Sequence, residues 1–151
     1  MRTSSVVLLP AAPASVAIAR RRLTQELLAV GILEAAIGDA VLVISELLSN
    51  AIRHARPLRG SWLRVTWSVA GESIEVAVSD GGSATRPRPA HASRSSLGGR
   101  GINVVEHLSS AWGVRADEGM LTVWAILPAP RNGSPAAPAR HSGDLSSAYA
   151  Q

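Results

Sequence analysis

Residues 44–55 read Ile44-Ser-Glu-Leu-Leu-Ser-Asn-Ala-Ile-Arg-His-Ala55, and their spacing predicts the second half of a helix that begins near Glu34 or Asp39. One side of this helix collects the apolar residues Val41, Ile44, Leu48, Ala51 and Ala55. The opposite side carries a polar strip, defined as Asp39, Glu46, Asn50 and Arg53. Leu42 and Val43 flank the strip, which is unusual for a solvated face, and an Asn inside a helix costs up to ~0.7 kcal/mol relative to Ala. The helix alone leaves two interpretations open, a surface stripe or a functional face.

The composition fits one globular domain. The chain has 151 residues and no Phe, so its core must be built from Leu, Val, Ile, Ala and the four Trp. Because there is no Cys, disulfides and thiolate metal sites are excluded. No stretch approaches the ~20 apolar residues expected of a membrane span. No signal peptide is visible, and we therefore expect a cytoplasmic protein without a membrane partner.

The charge pattern argues against direct binding of nucleic acid. All fifteen basic residues are Arg, and the net charge is a modest +4. Nucleic-acid binders typically carry a basic stripe with aromatic residues between the cations, which this chain lacks. The triplet Arg20-Arg21-Arg22 is predicted on the outer side of a helix, where it is either solvated or part of a partner-binding face.

The first half of the chain predicts a strand or arm, two helices and a hairpin. The run Val6–Leu9 is either an edge strand or a packed arm, and residues 16–30 have helical spacing that ends at Gly31. After the second helix the period changes from 3.6 to 2. Residues 62–69 and 74–79 alternate on either side of a turn at Gly71, which predicts a β-hairpin.

The second half predicts a loop, a helix and two strands. Residues 83–100 show no periodicity and lead into Gly98-Gly-Arg-Gly101, at the start of a helix carrying Ile102. Such a cluster is either a turn or an anion site made from unpaired backbone N–H groups. Residues 111–115 and 120–127 are predicted strands, the latter central, and residues 129–151 are predicted to be a disordered tail after a domain at 1–128.

Four sequence segments together resemble the ATP-binding domain shared by gyrase, the ninety-kilodalton heat-shock chaperones, histidine kinases and mismatch-repair proteins. Within this superfamily the chain is most similar to the anti-sigma-factor serine/threonine kinases and their small actinobacterial relatives. The segments are Glu46-Leu-Leu-Ser-Asn-Ala-Ile-Arg-His54, Val76-Ala-Val-Ser-Asp-Gly-Gly82, Gly98-Gly-Arg-Gly-Ile102 and Thr122-Val-Trp-Ala-Ile-Leu-Pro128, and Trp112-Gly113 also fits. The resemblance covers roughly residues 10–128.

The resemblance implies a role for each polar residue of these segments. Asn50 would hold Mg²⁺ through its amide oxygen, and Glu46 would act as general base or orient the attacking hydroxyl. Asp80 would accept a hydrogen bond from the adenine amino group. The resemblance also implies that Arg53 and His54 contact the phosphates and that Gly82 lets the backbone approach the base. Thr122 would help Asp80 through a hydroxyl or a water at the adenine edge. The residues implied to form a lid over the phosphates are Gly99, Arg100, Gly101 and Ile102.

Simpler interpretations exist for some of these residues. Asp80-Gly81-Gly82 could be only a turn, His54 could cap a helix end, and Arg100 could be exposed on the loop. The chain also departs from larger relatives, because Ala84 stands where they often carry a further glycine. It has no phosphoacceptor-histidine helix pair and no transducer domain, which argues against a complete histidine kinase, a gyrase-like machine or a chaperone.

The resemblance therefore implies an α/β two-layer sandwich, with a mixed, mostly antiparallel sheet and about three helices on one face. The function it implies is an ATP- and Mg²⁺-dependent serine/threonine kinase. Such a protein binds a sigma factor and phosphorylates an anti-anti-sigma factor, and a homodimer is expected because relatives commonly dimerise. The alternative is a regulatory module that binds ATP, or nothing, and sequesters a partner without transferring phosphate. A nucleic-acid-binding regulator is the third hypothesis, and it predicts a steep salt dependence of DNA affinity.

Overall fold

The computed structural model describes residues 2–54, 60–81, 100–117 and 119–133. Over these residues the chain forms five strands and three helices. In chain order they are β1 (Thr3–Pro10), α1 (Ala14–Ala29), α2 (Glu34–His54), β2 (Trp62–Ala70), β3 (Ser73–Asp80), α3 (Arg100–Leu108), β4 (Ala111–Asp117) and β5 (Met120–Pro128).

The five strands form one sheet in the order β1-β2-β3-β5-β4. Every strand pairing in the described part of the chain is antiparallel, so the sheet is not mixed there, although a mixed sheet was predicted. The N-terminal apolar run is the edge strand β1, which settles the choice between a strand and a packed arm. The predicted late apolar strand, β5, lies inside the sheet between β3 and β4.

The predicted hairpin is β2 and β3, joined at Gly71. Trp67 pairs with Val76 and Val69 with Ile74, so the apolar positions of both strands share one face, as alternation requires. Gly71 has φ of +59°, a left-handed conformation that glycine adopts without steric cost. The period-2 pattern therefore predicted the hairpin correctly.

The helices cover one face of the sheet, which gives the predicted two-layer α/β architecture. Leu23 of α1 and Ile44 of α2 belong to the same buried cluster as Trp67, Val76 and Ala125 from the strands. α3 packs on α2. On the other face Gly113 lies against Trp124, and a Cβ atom at residue 113 would come within 2.8 Å of the Trp124 ring.

A carboxylate joins α1 to the two strands at one edge of the sheet. Glu26 accepts a hydrogen bond from the Ser5 hydroxyl at 3.0 Å and another from the indole N–H of the buried Trp67. This clamp satisfies a polar group that burial would otherwise leave without a partner. Arg20, Arg21 and Arg22 lie exposed on the same helix, as predicted, and both interpretations of the triplet stay open.

The buried face of α2 differs from the predicted one. Val43 is fully buried, whereas Leu42 is 44% exposed and Val41 is only half-buried. At ~100° per residue the buried arc extends from Val43 round to Leu48, so the two residues beside the polar strip have different surroundings. Val43 belongs to the core, whereas Leu42 is an exposed apolar residue beside the strip.

α2 is also long and apolar enough to pass a length-and-composition test for a membrane span, with a mean hydropathy of 1.6. This corrects the expectation that no segment comes near that limit. The helix is the central core element, and seven of its residues are buried. The same composition is found in core helices, so the test is weak evidence for a membrane.

Residues 129–133 pack against the domain, although the sequence places them in the tail. Ala129 is fully buried and its N–H donates to the carbonyl oxygen of Glu72. Arg131 forms an isolated bridge with Ile32, and the Asn132 N–H donates to Gly31. The rest of the predicted tail, residues 134–151, lies outside the described residues.

Candidate functional site

The polar strip of α2 divides into a half-buried part and an exposed part. Glu46 and Asn50 are half-buried, whereas Asp39 and Arg53 are exposed. Residues four apart are neighbours on a helix face, so the Glu46 carboxylate and the Asn50 amide project side by side. Both stand at the margin of the buried arc, because the helix rotation places them next to Val43. The strip thus presents an acid and an amide oxygen at the edge of the core.

Asp80 is the last residue of β3 and is 94% buried, with a relative exposure of 6%. It shares its strand face with Val76 and Val78, which belong to the core cluster beneath the helices. Asp80 therefore projects toward the helical layer, and α2 packs directly on β3. A buried carboxylate in this position is costly unless it is paired or hydrogen-bonded, which distinguishes Asp80 from an ordinary turn residue.

The helix predicted after the glycine cluster is α3, and it begins at Arg100. Ile102 and Val105 are buried and α3 packs on α2, so the first turn of α3 lies in the same layer as the polar strip. Arg100 and Gly101 contribute backbone N–H groups to that turn, where an anion would be stabilised. Gly82, Gly99, residues 83–98 and the Arg100 side chain lie outside what the structure describes.

Thr122 pairs with Ser79 across β5 and β3, and Leu121 pairs with Asp80. The hydroxyl groups of Thr122 and Ser79 are 2.7 Å apart and share a hydrogen bond, and both residues are buried. Alternation along a regular strand therefore directs Thr122 and Asp80 to opposite faces of the sheet. Sequence reasoning missed Ser79, because the only available signal was a serine directly before the aspartate.

The C-terminal end of α2 carries Arg53 and His54, and both are exposed. Cations in the last turn of a helix interact favourably with the helix dipole, so this position alone is enough to explain them. The geometry leaves both predicted interpretations in place, a helix-end residue and a phosphate contact.

The donor set fits an adenine nucleotide with Mg²⁺. Among the described residues no three His, Asp or Glu side chains lie close enough to form a metal cage. Mg²⁺ generally keeps several waters and binds one or two protein oxygens plus substrate phosphates. One half-buried amide oxygen, on Asn50, is consistent with that mode, and Glu46 is half-buried one turn earlier on the same helix.

The half-buried Asn50, the buried Asp80 and the start of α3 stand on elements of which two, β3 and α3, both pack on α2. This arrangement is consistent with an ATP-binding domain. The chain belongs to the family of the histidine kinase-like ATPase domain, which matches residues 9–127.

A solved structure with a similar fold is that of the RsbU and RsbW domains of Rv1364c from Mycobacterium tuberculosis. Its TM-score is 0.66 at 22% identity, and the match covers 85% of this chain. It covers 33% of the other, so this chain spans about a third of that protein's length. No curated protein matches the chain significantly.

Proposed function

We propose that the chain is an anti-sigma factor with ATP- and Mg²⁺-dependent serine/threonine kinase activity. It binds a sigma factor and inactivates its own antagonist, an anti-anti-sigma factor, by phosphorylating it. It acts in the cytoplasm as a homodimer. Family membership supports ATP binding, and the choice among activities within the family rests on the site residues.

The observation that carries the proposal is the half-buried pair Glu46 and Asn50, one turn apart on α2. A module that binds ATP and sequesters a partner would still use Asn50, but it has no need of a general base, so Glu46 is the residue that favours the kinase. Polar groups in partly buried positions cost stability unless they are paired. Keeping both on one strip is therefore better explained by chemistry than by folding.

The chemical step transfers the γ-phosphoryl group of ATP to a serine or threonine hydroxyl of the antagonist. The hydroxyl oxygen forms a bond to phosphorus, the bond from phosphorus to the β–γ bridging oxygen breaks, and ADP leaves with that electron pair. Glu46 orients the hydroxyl and accepts its proton. Asn50 would hold Mg²⁺, which neutralises charge on the phosphates when bound. Asp80 selects adenine by accepting from its amino group.

Labelled phosphate transfer from ATP to a purified candidate antagonist tests the kinase activity. The variant Glu46→Gln should reduce transfer at least ~100-fold, the usual contribution of a general base, and should leave ATP binding nearly unchanged. Glu34→Gln is a matched control, because Glu34 is an exposed acid in the first turn of the same helix. It should transfer phosphate like the native protein.

The alternative, a module that sequesters a partner without phosphotransfer, makes the opposite prediction. The kinase hypothesis would be rejected in favour of that module if the protein binds ATP but transfers phosphate to no candidate antagonist, and if Glu46→Gln binds ATP equally well. A nucleic-acid-binding regulator would instead bind DNA with an affinity that falls steeply with salt. A flat salt response removes that third hypothesis.

A further inference from the structure

A buried pair of hydroxyl groups lies one residue away from Asp80, on the face of the sheet that carries no described helix. Ser79 and Thr122 are 5% and 6% exposed, and their hydroxyl oxygens are 2.7 Å apart. They form the middle of a cross-strand row, because Ser79 also pairs with Arg64 and Thr122 with Arg115. The pair is the last one between β3 and β5 before Asp80.

We propose that Ser79 is a positioning residue for adenine recognition. Its hydrogen bond to Thr122 fixes the end of β3 against β5, and so holds the Asp80 carboxylate where it accepts from the amino group of the base. This inference rests on the proposed function, because it requires Asp80 to accept a hydrogen bond from the amino group of adenine. It assigns Thr122 an indirect role, through Ser79, in place of a direct one beside the nucleotide.

The geometry excludes a direct contact between Ser79 and a ligand in the helical layer. Neighbouring residues of a strand point to opposite faces, so Ser79 faces away from the side on which Asp80 lies. Its influence must therefore pass through the backbone that the two residues share. β3 ends at Asp80, and strand ends open more easily than strand interiors. The hydrogen bond between Ser79 and Thr122 therefore affects the position of the Asp80 carboxylate.

Removing one hydroxyl leaves the other buried without its partner. The free-energy cost of the unpaired buried hydroxyl exceeds the net stabilisation that the hydrogen bond provided, because the desolvation of that hydroxyl is no longer compensated. The end of the strand would then shift to hydrate or re-pair the remaining hydroxyl. The consequence expected at the site is a misplaced Asp80 carboxylate, with the phosphate-binding groups of α2 unaffected.

The test compares two ligands on the full chain in the presence of Mg²⁺. One is ATP, and the other is purine riboside triphosphate, which lacks the amino group that Asp80 would bind. Calorimetric titration of Ser79→Ala should show ATP binding weakened about tenfold, the equivalent of ~1.4 kcal/mol, and analogue binding weakened less than about twofold. The preference for ATP over the analogue should therefore fall at least about fivefold.

Ser5→Ala is the matched control, since it removes a serine hydroxyl that bonds Glu26 at the β1 edge of the sheet. It should leave the ATP preference intact. If Ser79→Ala keeps the native preference, loses both ligands equally, or behaves like Ser5→Ala, the inference is overturned. A native protein that binds neither ligand, or prefers neither, would instead refute the proposed function.

Thr122→Val removes the same hydrogen bond from the other side, and gives an independent answer should Ser79→Ala not fold. It should reduce the ATP preference to the same extent. The double variant Ser79→Ala/Thr122→Val should lose no more than either single variant, because both act through one shared bond. Additive losses would mean that Thr122 contacts the nucleotide separately, and would contradict the role given to Ser79.

Discussion

At the scale of single residues, Asn50 is the residue on which the proposed Mg²⁺ site depends. The residue is a poor helix former, yet it stands within the core helix, about one turn before its C-terminal end and at the margin of the buried arc. Glu46 stands one turn earlier on the same helix, so a carboxylate lies next to the Asn50 amide. The pair has no evident role in packing, which is why we assign it to the nucleotide.

Replacing Asn50 by Ala should weaken Mg²⁺-dependent ATP binding at least ~10-fold, because losing a metal ligand costs more than losing an ordinary neutral hydrogen bond. The affinity for ATP measured in EDTA should change much less. Calorimetry with and without Mg²⁺ separates the two effects. Gln25→Ala removes an exposed amide on α1 and should change neither value. Equal affinities of Asn50→Ala and the native protein would place Mg²⁺ elsewhere.

The resemblance singled out Glu46, Asn50 and Asp80, because each lies in a short segment that is similar to the family's, and their roles stay predictions. The sequence was not sufficient to find Ser79, whose partner is 43 residues away. Pairing between β3 and β5 depends on a long connection and on β5 inserting between two other strands, neither of which a local pattern encodes. The resemblance implied that Thr122 helps Asp80 at the adenine edge through a hydroxyl or a water, and it carried no information on the partner of Thr122 across the strands.

At the scale of elements, periodicity predicted the helices and the hairpin well, since each is stabilised by residues close in the chain. Periodicity gave the α2 face less accurately. It weighted Val41 and Ala51 as core and Val43 as a flanking residue, whereas Val43 is the fully buried one. Burial depends on where the sheet and α1 approach the helix, and a helical projection does not contain that information.

The Glu26 clamp between α1 and the β1–β2 edge gives a prediction at this scale. Glu26→Ala should lower the free energy of unfolding by about 1–3 kcal/mol, because the buried Trp67 indole N–H loses its acceptor. Urea denaturation measures the change. Gln25→Ala, at the exposed neighbouring position, should stay within about 0.5 kcal/mol of the native protein. Equal stabilities for Glu26→Ala and Gln25→Ala would show that the clamp contributes nothing.

At the scale of the whole molecule, the fold brings together elements that carry the proposed site residues. The strand order places β3 inside the sheet, and both β3 and α3 pack on α2. The C-terminal half of α2, the end of β3 and the start of α3 are far apart in the chain, but they belong to elements that share this packing. The two-layer class followed from the resemblance, while the fully antiparallel pairing of the described strands and the packing of residues 129–133 depended on tertiary contacts.

The central claim is that this site binds Mg·ATP, and ligand-linked stability tests it on the native protein. A ligand that binds only the folded state raises its stability by RT ln(1 + [L]/Kd). The melting temperature should therefore rise steadily with ATP in the presence of Mg²⁺. Asp80→Asn should abolish most of this rise, whereas Asp39→Asn, at an exposed position on α2, should preserve it. The account would be contradicted if Mg·ATP does not change the melting temperature of the native protein, or if it raises the melting temperature of Asp80→Asn as much as that of the native protein.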